Sequence, residues 1–216
     1  KGKALKSYLS RGEKLSVVQA FQIIKQVLFA VKEVHEAGFL HLDIQDGNVF
    51  IKGSLSAEDN LVSLVDFGAA RPVCEDGLCP VIRDRALFST MGFESPEIVG
   101  HNDGTLRLGA EADLYSVGYL LLLMLTGKRY TQRELDSANI GLYLSKRKLK
   151  KLNCPAHMAD KVHQIISKAL KKTPEERYHS CEEMLADVSD LIHALQPYKS
   201  DLSQVVYDAF ICYRHG

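Results

Sequence analysis

A mostly α-helical body with one small β hairpin is the fold class this sequence predicts, and three observations lead to it. Phe21, Ile24, Val27, Leu28, Val31 and Val34 recur at three- and four-residue steps, which places them along one face of a long helix. Two β-rich runs, 49–51 and 61–65, follow that helix and are joined by a polar stretch, as in a hairpin. Further on, residues 117–125 form one apolar run, too short to cross a bilayer and suited to a helix buried in the core.

The remaining elements fall into place around these. Ser16 opens the long helix, and Gln19 stands at capping-box spacing from it, so each side chain can satisfy a backbone N–H of the other. Gly38 stands where a left-handed residue would end the helix. Residues 66–97 sustain no period and read as one long functional loop. Helices resume at Ala110–Thr126, 159–171 and 180–195, the last with its own capping pair, Ser180 and Glu183. Residues 197–204 have the character of a linker, and 205–213 read as a further strand.

The chain has 216 residues, 46% of them hydrophobic, enough for one well-buried core. Lys and Arg number 27 against 27 Asp and Glu, so no global field recommends a nucleic acid or a membrane surface as partner. The five cysteines are odd in number and scattered, which points to reduced thiols in a cytoplasmic protein. Residues 1–9 contain no apolar signal core. Cys74 and Cys79 lack the nearby His or third Cys that a metal site would need. The basic run Lys146–Lys151 reads as a solvated helix face, with binding of an acidic partner as its rival role.

Three stretches carry the chemistry: His41-Leu42-Asp43-Ile44-Gln45-Asp46-Gly47-Asn48, then Asp66-Phe67-Gly68, then Ser95-Pro96-Glu97. In this order, with helices and strands between them as found here, they resemble the protein-kinase family over roughly residues 1–196. The resemblance implies a protein-kinase-like C-terminal lobe. It also implies a serine/threonine protein kinase moving the γ-phosphate of ATP to the hydroxyl of a protein substrate, with Mg²⁺. Phosphoryl transfer asks little covalent work of the protein, so positioning and charge dominate. By the resemblance, Asp43 accepts the substrate's hydroxyl proton. Asn48 and Asp66 hold Mg²⁺, Phe50 floors the adenine, and Thr90 bonds the catalytic aspartate. Glu97 and Arg177 match a buried ion pair, and Asp113 the aspartate that holds the catalytic loop's backbone. His41 is expected to pack against Phe67 rather than move protons.

Two departures stand out. Leu42 replaces the family's usual arginine, which grips a phosphate on the loop that follows. Gln45 replaces the lysine that donates to the transferring phosphoryl group; losing that charge slows transfer by roughly tenfold to a hundredfold. No segment matches the family's glycine-rich loop, its ATP-binding lysine or the glutamate that pairs with it, and residues 1–9 resemble the stretch just past the hinge. The N-terminal lobe is therefore expected to be absent, and this chain by itself to be inactive.

Tyr207-Asp208-Ala209-Phe210-Ile211-Cys212-Tyr213-Arg214-His215 resembles the opening strand of a TIR domain, with Cys212 in place of the common serine. A stray strand docking on the kinase lobe is the alternative. The expected layout is a kinase C-terminal lobe at 1–196, a linker at 197–204 and the start of a TIR-like domain at 205–216. That layout implies a signalling protein with TIR-mediated self-association. A pseudokinase scaffold that positions the TIR module is the alternative function.

Overall fold

In the computed structural model, residues 2–53, 60–82, 92–100, 105–131, 134–135 and 140–196 are described. The expected linker and TIR-like strand lie outside them. The long helix α2 spans Val17–Glu36, and both arms of its capping box are present: Ser16 Oγ accepts from Gln19 N at 3.2 Å and Gln19 Oε1 from Ser16 N at 2.9 Å. Gly38, one residue past the C-cap, has φ +81°, a conformation that costs glycine little and a larger residue more.

The expected hairpin forms from β3 (Val49–Lys52) and β4 (Leu61–Leu64), with Val49 opposite Leu64 and Phe50 opposite Ser63. A third strand, β1 (Lys3–Ala4), pairs antiparallel with β3 and leads into the short helix α1 (Leu5–Leu9). Two residues show no alternation, so β1 was not visible in the pattern. Along β3, Val49 and Ile51 point into the core, while Phe50 and Lys52 take the other face.

The stretch 66–97 has more order than its lack of period suggested. Strand β5 (Arg71–Pro72) pairs with β2 (Phe39–Leu40), and β6 (Cys79–Ile82) pairs with β7 (Thr105–Leu108). Helix α3 (Pro96–Gly100) closes it. Pro80 within β6 argues against a strand in sequence, because proline cannot donate to a ladder; it is tolerated here in a two-stranded sheet, where both strands are edges.

Helix α4 (Ala110–Thr126) is the centre of the molecule: Ala112 to Leu125 are all buried. It is packed by α2 and by α7 (Ala159–Ala169), and α8 (Cys181–Leu195) closes over α2 and α7. A Cβ at Gly118 would stand 2.4 Å from the Ala169 Cβ, so α4 and α7 cross with only that alanine methyl between them. Ser180 caps α8 as expected, accepting from Glu183 N, but Glu183 reaches one residue further back to accept from His179 N at 2.8 Å. Two short helices, α5 (Ile140–Tyr143) and α6 (Lys146–Lys151), precede α7. The basic run is thus helical but only partly solvated: Leu149 is buried, and Lys148 is half-buried with its Nζ donating to Thr126 O at 3.1 Å. No helix among the described residues is long and apolar enough to cross a membrane.

One tie joins the end of the long loop to the helical base. Arg177 is fully buried, and all five of its N–H donors are used. Two go to the Glu97 carboxylate at 2.9 and 2.6 Å, and the others to the carbonyls of Lys171, Lys172 and Glu111. Its guanidinium also lies 5.0 Å from the centre of the Tyr115 ring. Removing one partner of such a pair strands the other charge and costs about 3–5 kcal/mol. Arg177→Ala is expected to lower the thermal midpoint sharply, whereas Lys150→Ala, on the exposed side of α6, shifts stability by less than about 0.5 kcal/mol. Equal melting of the two variants in calorimetry would refute the structural role of the pair.

Candidate active site

The loop 41–48 leaves β2 and enters β3, and its shape is imposed by a buried carboxylate on α4. Asp113 accepts from the backbone N–H of His41 and of Leu42, each at 2.8 Å, and lies 2.8 Å from His35 Nε2 on the last turn of α2. Leu42 has φ +60°, an unfavourable backbone for a leucine. The two hydrogen bonds to an ionised acceptor, worth more than neutral ones, hold it there. Burial alone would push the Asp113 carboxyl up; the hydrogen bond and charge of His35, with His41, outweigh it and hold the group below the usual carboxylate value.

His41 packs its ring on Phe67, with centroids 4.9 Å apart, as expected from sequence, and its Nδ1 accepts from Asp43 N–H at 3.3 Å. Burial holds its pKa below the usual value, against the opposing charges of Asp113, Asp43 and Asp66. The ring is therefore neutral near pH 7 and acts as a packing element.

Three of the predicted site residues meet within single hydrogen bonds. The Asp43 carboxylate accepts from Gln45 Nε2 at 2.8 Å and from Asn48 Nδ2 at 2.7 Å, and Asn48 Nδ2 also reaches the Asp43 carbonyl at 2.9 Å. Asp66 is brought beside them by strand register. Val65 N donates to Asn48 O at 3.0 Å, one step beyond the Val49–Leu64 pair, so Asn48 and Asp66 leave the same end of the hairpin. Asp66 has φ +66°, is exposed, and uses one carboxylate oxygen to accept from Gly68 N at 3.2 Å. Phe50 stands half-buried on the face of β3 away from the core. Thr90 lies outside the described residues.

The donor set fits a divalent cation of the Mg²⁺ type. Asn48 commits its amide nitrogen to Asp43, which leaves its carbonyl oxygen outside those bonds, and Asp66 offers an exposed carboxylate. Among the described residues there is no cluster of three or more His, Cys, Asp or Glu side chains placed for a metal. A small hard cation is commonly held by only one or two protein oxygens, with phosphates and water supplying the rest.

Two contributors were not foreseen. Arg129, just past α4, places Nη2 at 2.7 and 2.8 Å from the two oxygens of Asp46, inside the 41–48 loop, and stacks 5.2 Å from the Phe93 ring centre. The Asp46 carbonyl also accepts from Lys6 N at 2.9 Å, so the loop is gripped from the α1 side too. Arg129 and Asp46 are 83 residues apart, and no local pattern joins them. His35 carried a weak signal, a histidine in the last turn of a helix leading into a site.

The family and the fold are shared with known proteins. The protein kinase domain profile matches residues 1–188, and the chain belongs to the protein kinase family. It is similar to the probable serine/threonine-protein kinase PknB of Lactococcus lactis, 26% identical over 188 residues, covering 87% of this chain and 28% of that protein. It is also similar to the serine/threonine-protein kinase PknB of Mycolicibacterium smegmatis, 27% identical over 191 residues, covering 88% of this chain and 28% of that protein. The chain thus spans little more than a quarter of the length of these relatives. The crystal structure of the Mycobacterium tuberculosis PknI kinase domain superposes with a TM-score of 0.61 at 18% identity, over 88% of this chain and 63% of that one, a likeness of fold.

The two perturbed groups give a signed pH dependence. His41 titrates below its unfolded value of 6.5, so the stability of keeping it neutral is present above that value and is lost as pH falls through the interval beneath it. Asp113, held below 3.8, adds stability that is present above that value and lost on further acidification. The melting midpoint should decline as pH falls below 6.5, and His41→Phe should flatten that slope. Superimposable slopes for the two proteins would remove His41 as the cause.

Proposed function

We propose that this chain carries the catalytic centre of a serine/threonine protein kinase, transferring the ATP γ-phosphate to a protein hydroxyl with Mg²⁺. The observation that supports it most is the Asp43–Gln45–Asn48 hydrogen-bonded group beside Asp66. In this reading Asp43 orients the substrate hydroxyl and takes its proton. Asn48 and Asp66 hold the cation, whose charge, when bound, offsets that developing on the phosphates. Gln45 keeps an N–H donor at the position where the family carries a lysine, at the cost of its charge. Phe50 supplies the apolar floor for adenine, and Thr90 bonds Asp43. Clamping of ATP needs a glycine-rich loop and a lysine that match no segment of this sequence, so the 216-residue chain alone is proposed to be inactive. The TIR-like reading of 207–215, and self-association through such a module, belong to the same proposal. Gln45 and Leu42 also favour a second reading, a pseudokinase scaffold that positions that module.

Leu42 bears on regulation. Its side chain packs with a satellite core of Leu40, Cys79, Ile98, Leu108 and Ala112, which joins the catalytic loop to β6, β7 and α3. In this reading an apolar contact anchors the following loop where an arginine would have needed a phosphate.

Two experiments test the proposal, each in a protein that joins this chain to an ATP-clamping segment. Asp43→Asn should reduce radiolabelled phosphate transfer by about 10²–10⁴-fold with the melting midpoint retained. Undiminished transfer removes Asp43 from the mechanism, and no transfer in the parent protein favours the scaffold. Phosphatase treatment should leave the rate within about twofold, since no guanidinium at position 42 waits for a phosphate. A loss beyond about tenfold, traced to a phosphosite between Arg71 and Thr90, would sink the regulatory reading.

A further inference from the structure

We propose that a second site on this chain docks an acidic peptide segment of a partner protein, in a basic cavity none of whose lining residues belongs to the 41–48 loop or to Asp66–Phe67–Gly68. The cavity, about 700 Å³, lies between the turn after α1, the C-terminal end of α4 and the helix α6. Four cations line it, Lys14, Arg147, Lys148 and Lys151, against one carboxylate, Glu13.

The pairing of these cations sets them apart. Nearby on the same helical base, Lys146 pairs with Asp160, Lys161 with Asp187, Lys168 with Glu183 and Lys171 with Glu176. Lys14, Arg147 and Lys151 make no ion pair and no side-chain hydrogen bond among the described residues. Lys148 is half-buried, and among the described residues its ammonium has a single partner, the carbonyl of Thr126. Burial pushes its pKa down, with no carboxylate to oppose the shift. That contact also covers a carbonyl at the negative end of the α4 dipole, which would repel an anion. An arriving carboxylate therefore meets three cations with no partner to lose, and a fourth, Lys148, already partly stripped of water.

The shape favours a peptide over a single small anion. Lys14 comes from one wall, and Arg147 and Lys151 from another, so separate carboxylates of one extended segment can each be received. A volume in this range accommodates a drug-sized stretch of chain. Charge pairs of this kind direct register and encounter, and they weaken with salt.

The inference does not rest on phosphoryl transfer, because binding is read without ATP or turnover. The probe is a fluorescein-labelled hexaglutamate peptide, titrated with the 216-residue chain at low ionic strength and followed by anisotropy. Saturable binding is expected, weakened by about tenfold or more in Arg147→Glu/Lys151→Glu and, from the opposite wall, in Lys14→Glu. Lys150→Glu, an equal change of charge per residue outside the cavity, should leave binding within about twofold. Melting curves check that each variant is folded, and Lys14→Glu decides the matter if the double variant is not. Absence of saturable binding overturns the proposal. So does an equal loss in Lys150→Glu, which means general charge attraction, or full displacement by inorganic phosphate at matched charge, which means a small-anion site.

Discussion

The Asp113 carboxylate is the constraint on which the candidate active-site end of this molecule depends. It is sealed inside the core on a helix whose buried residues are mostly apolar, and there an unpaired charge would be strongly unfavourable. It becomes tolerable only because three donors converge on it, two backbone amides of the 41–48 loop and one imidazole of α2. The same bonds hold Leu42 in a conformation it would otherwise avoid. Burial of the helix and the shape of the 41–48 loop are thus one problem with one solution.

From that point the other ties can be ordered. Ser116, one turn further along α4, donates to Phe93 O at 2.7 Å and fixes the end of the long loop to the same helix. Arg177 fastens Glu97 and the carbonyls around it to the base, using every donor it has. Arg129 holds Asp46 from the far end of α4. Each of the three buried charges in this chain of contacts, Asp113, Arg177 and Asp46, has a partner in a different element, which converts the cost of burying charge into a fixed relative position. The loop so fixed carries Asp43 and Asn48, beside which strand register sets Asp66.

Electrostatics divide the surface of the helical half in two. The lysines of α7 are matched with carboxylates of α8, Lys161 with Asp187 and Lys168 with Glu183. Around the end of α6 the lysines are not, and the backbone terminus there is already covered by Lys148. A helix read from sequence as a solvated face turns out to have a buried leucine, a half-buried lysine and a cavity on one side.

The sequence by itself determined the helices α2, α4, α7 and α8, the hairpin β3–β4 and the family, because periodicity, capping pairs and contiguous motifs are local and survive in one dimension. Ser16 with Gln19, and the run 117–125, announced their structure before any packing was known. The residue types at Asp43, Asn48 and Asp66 were equally legible. What only tertiary structure decided is everything held by contacts between distant segments: the pairing of β6 with β7, the third strand β1, the Arg129–Asp46 bond and the approach of α4 to α7 over Gly118. Two-residue ladders have no period, a salt bridge 83 residues long has no motif, and a glycine reveals its purpose only when another backbone lies against it.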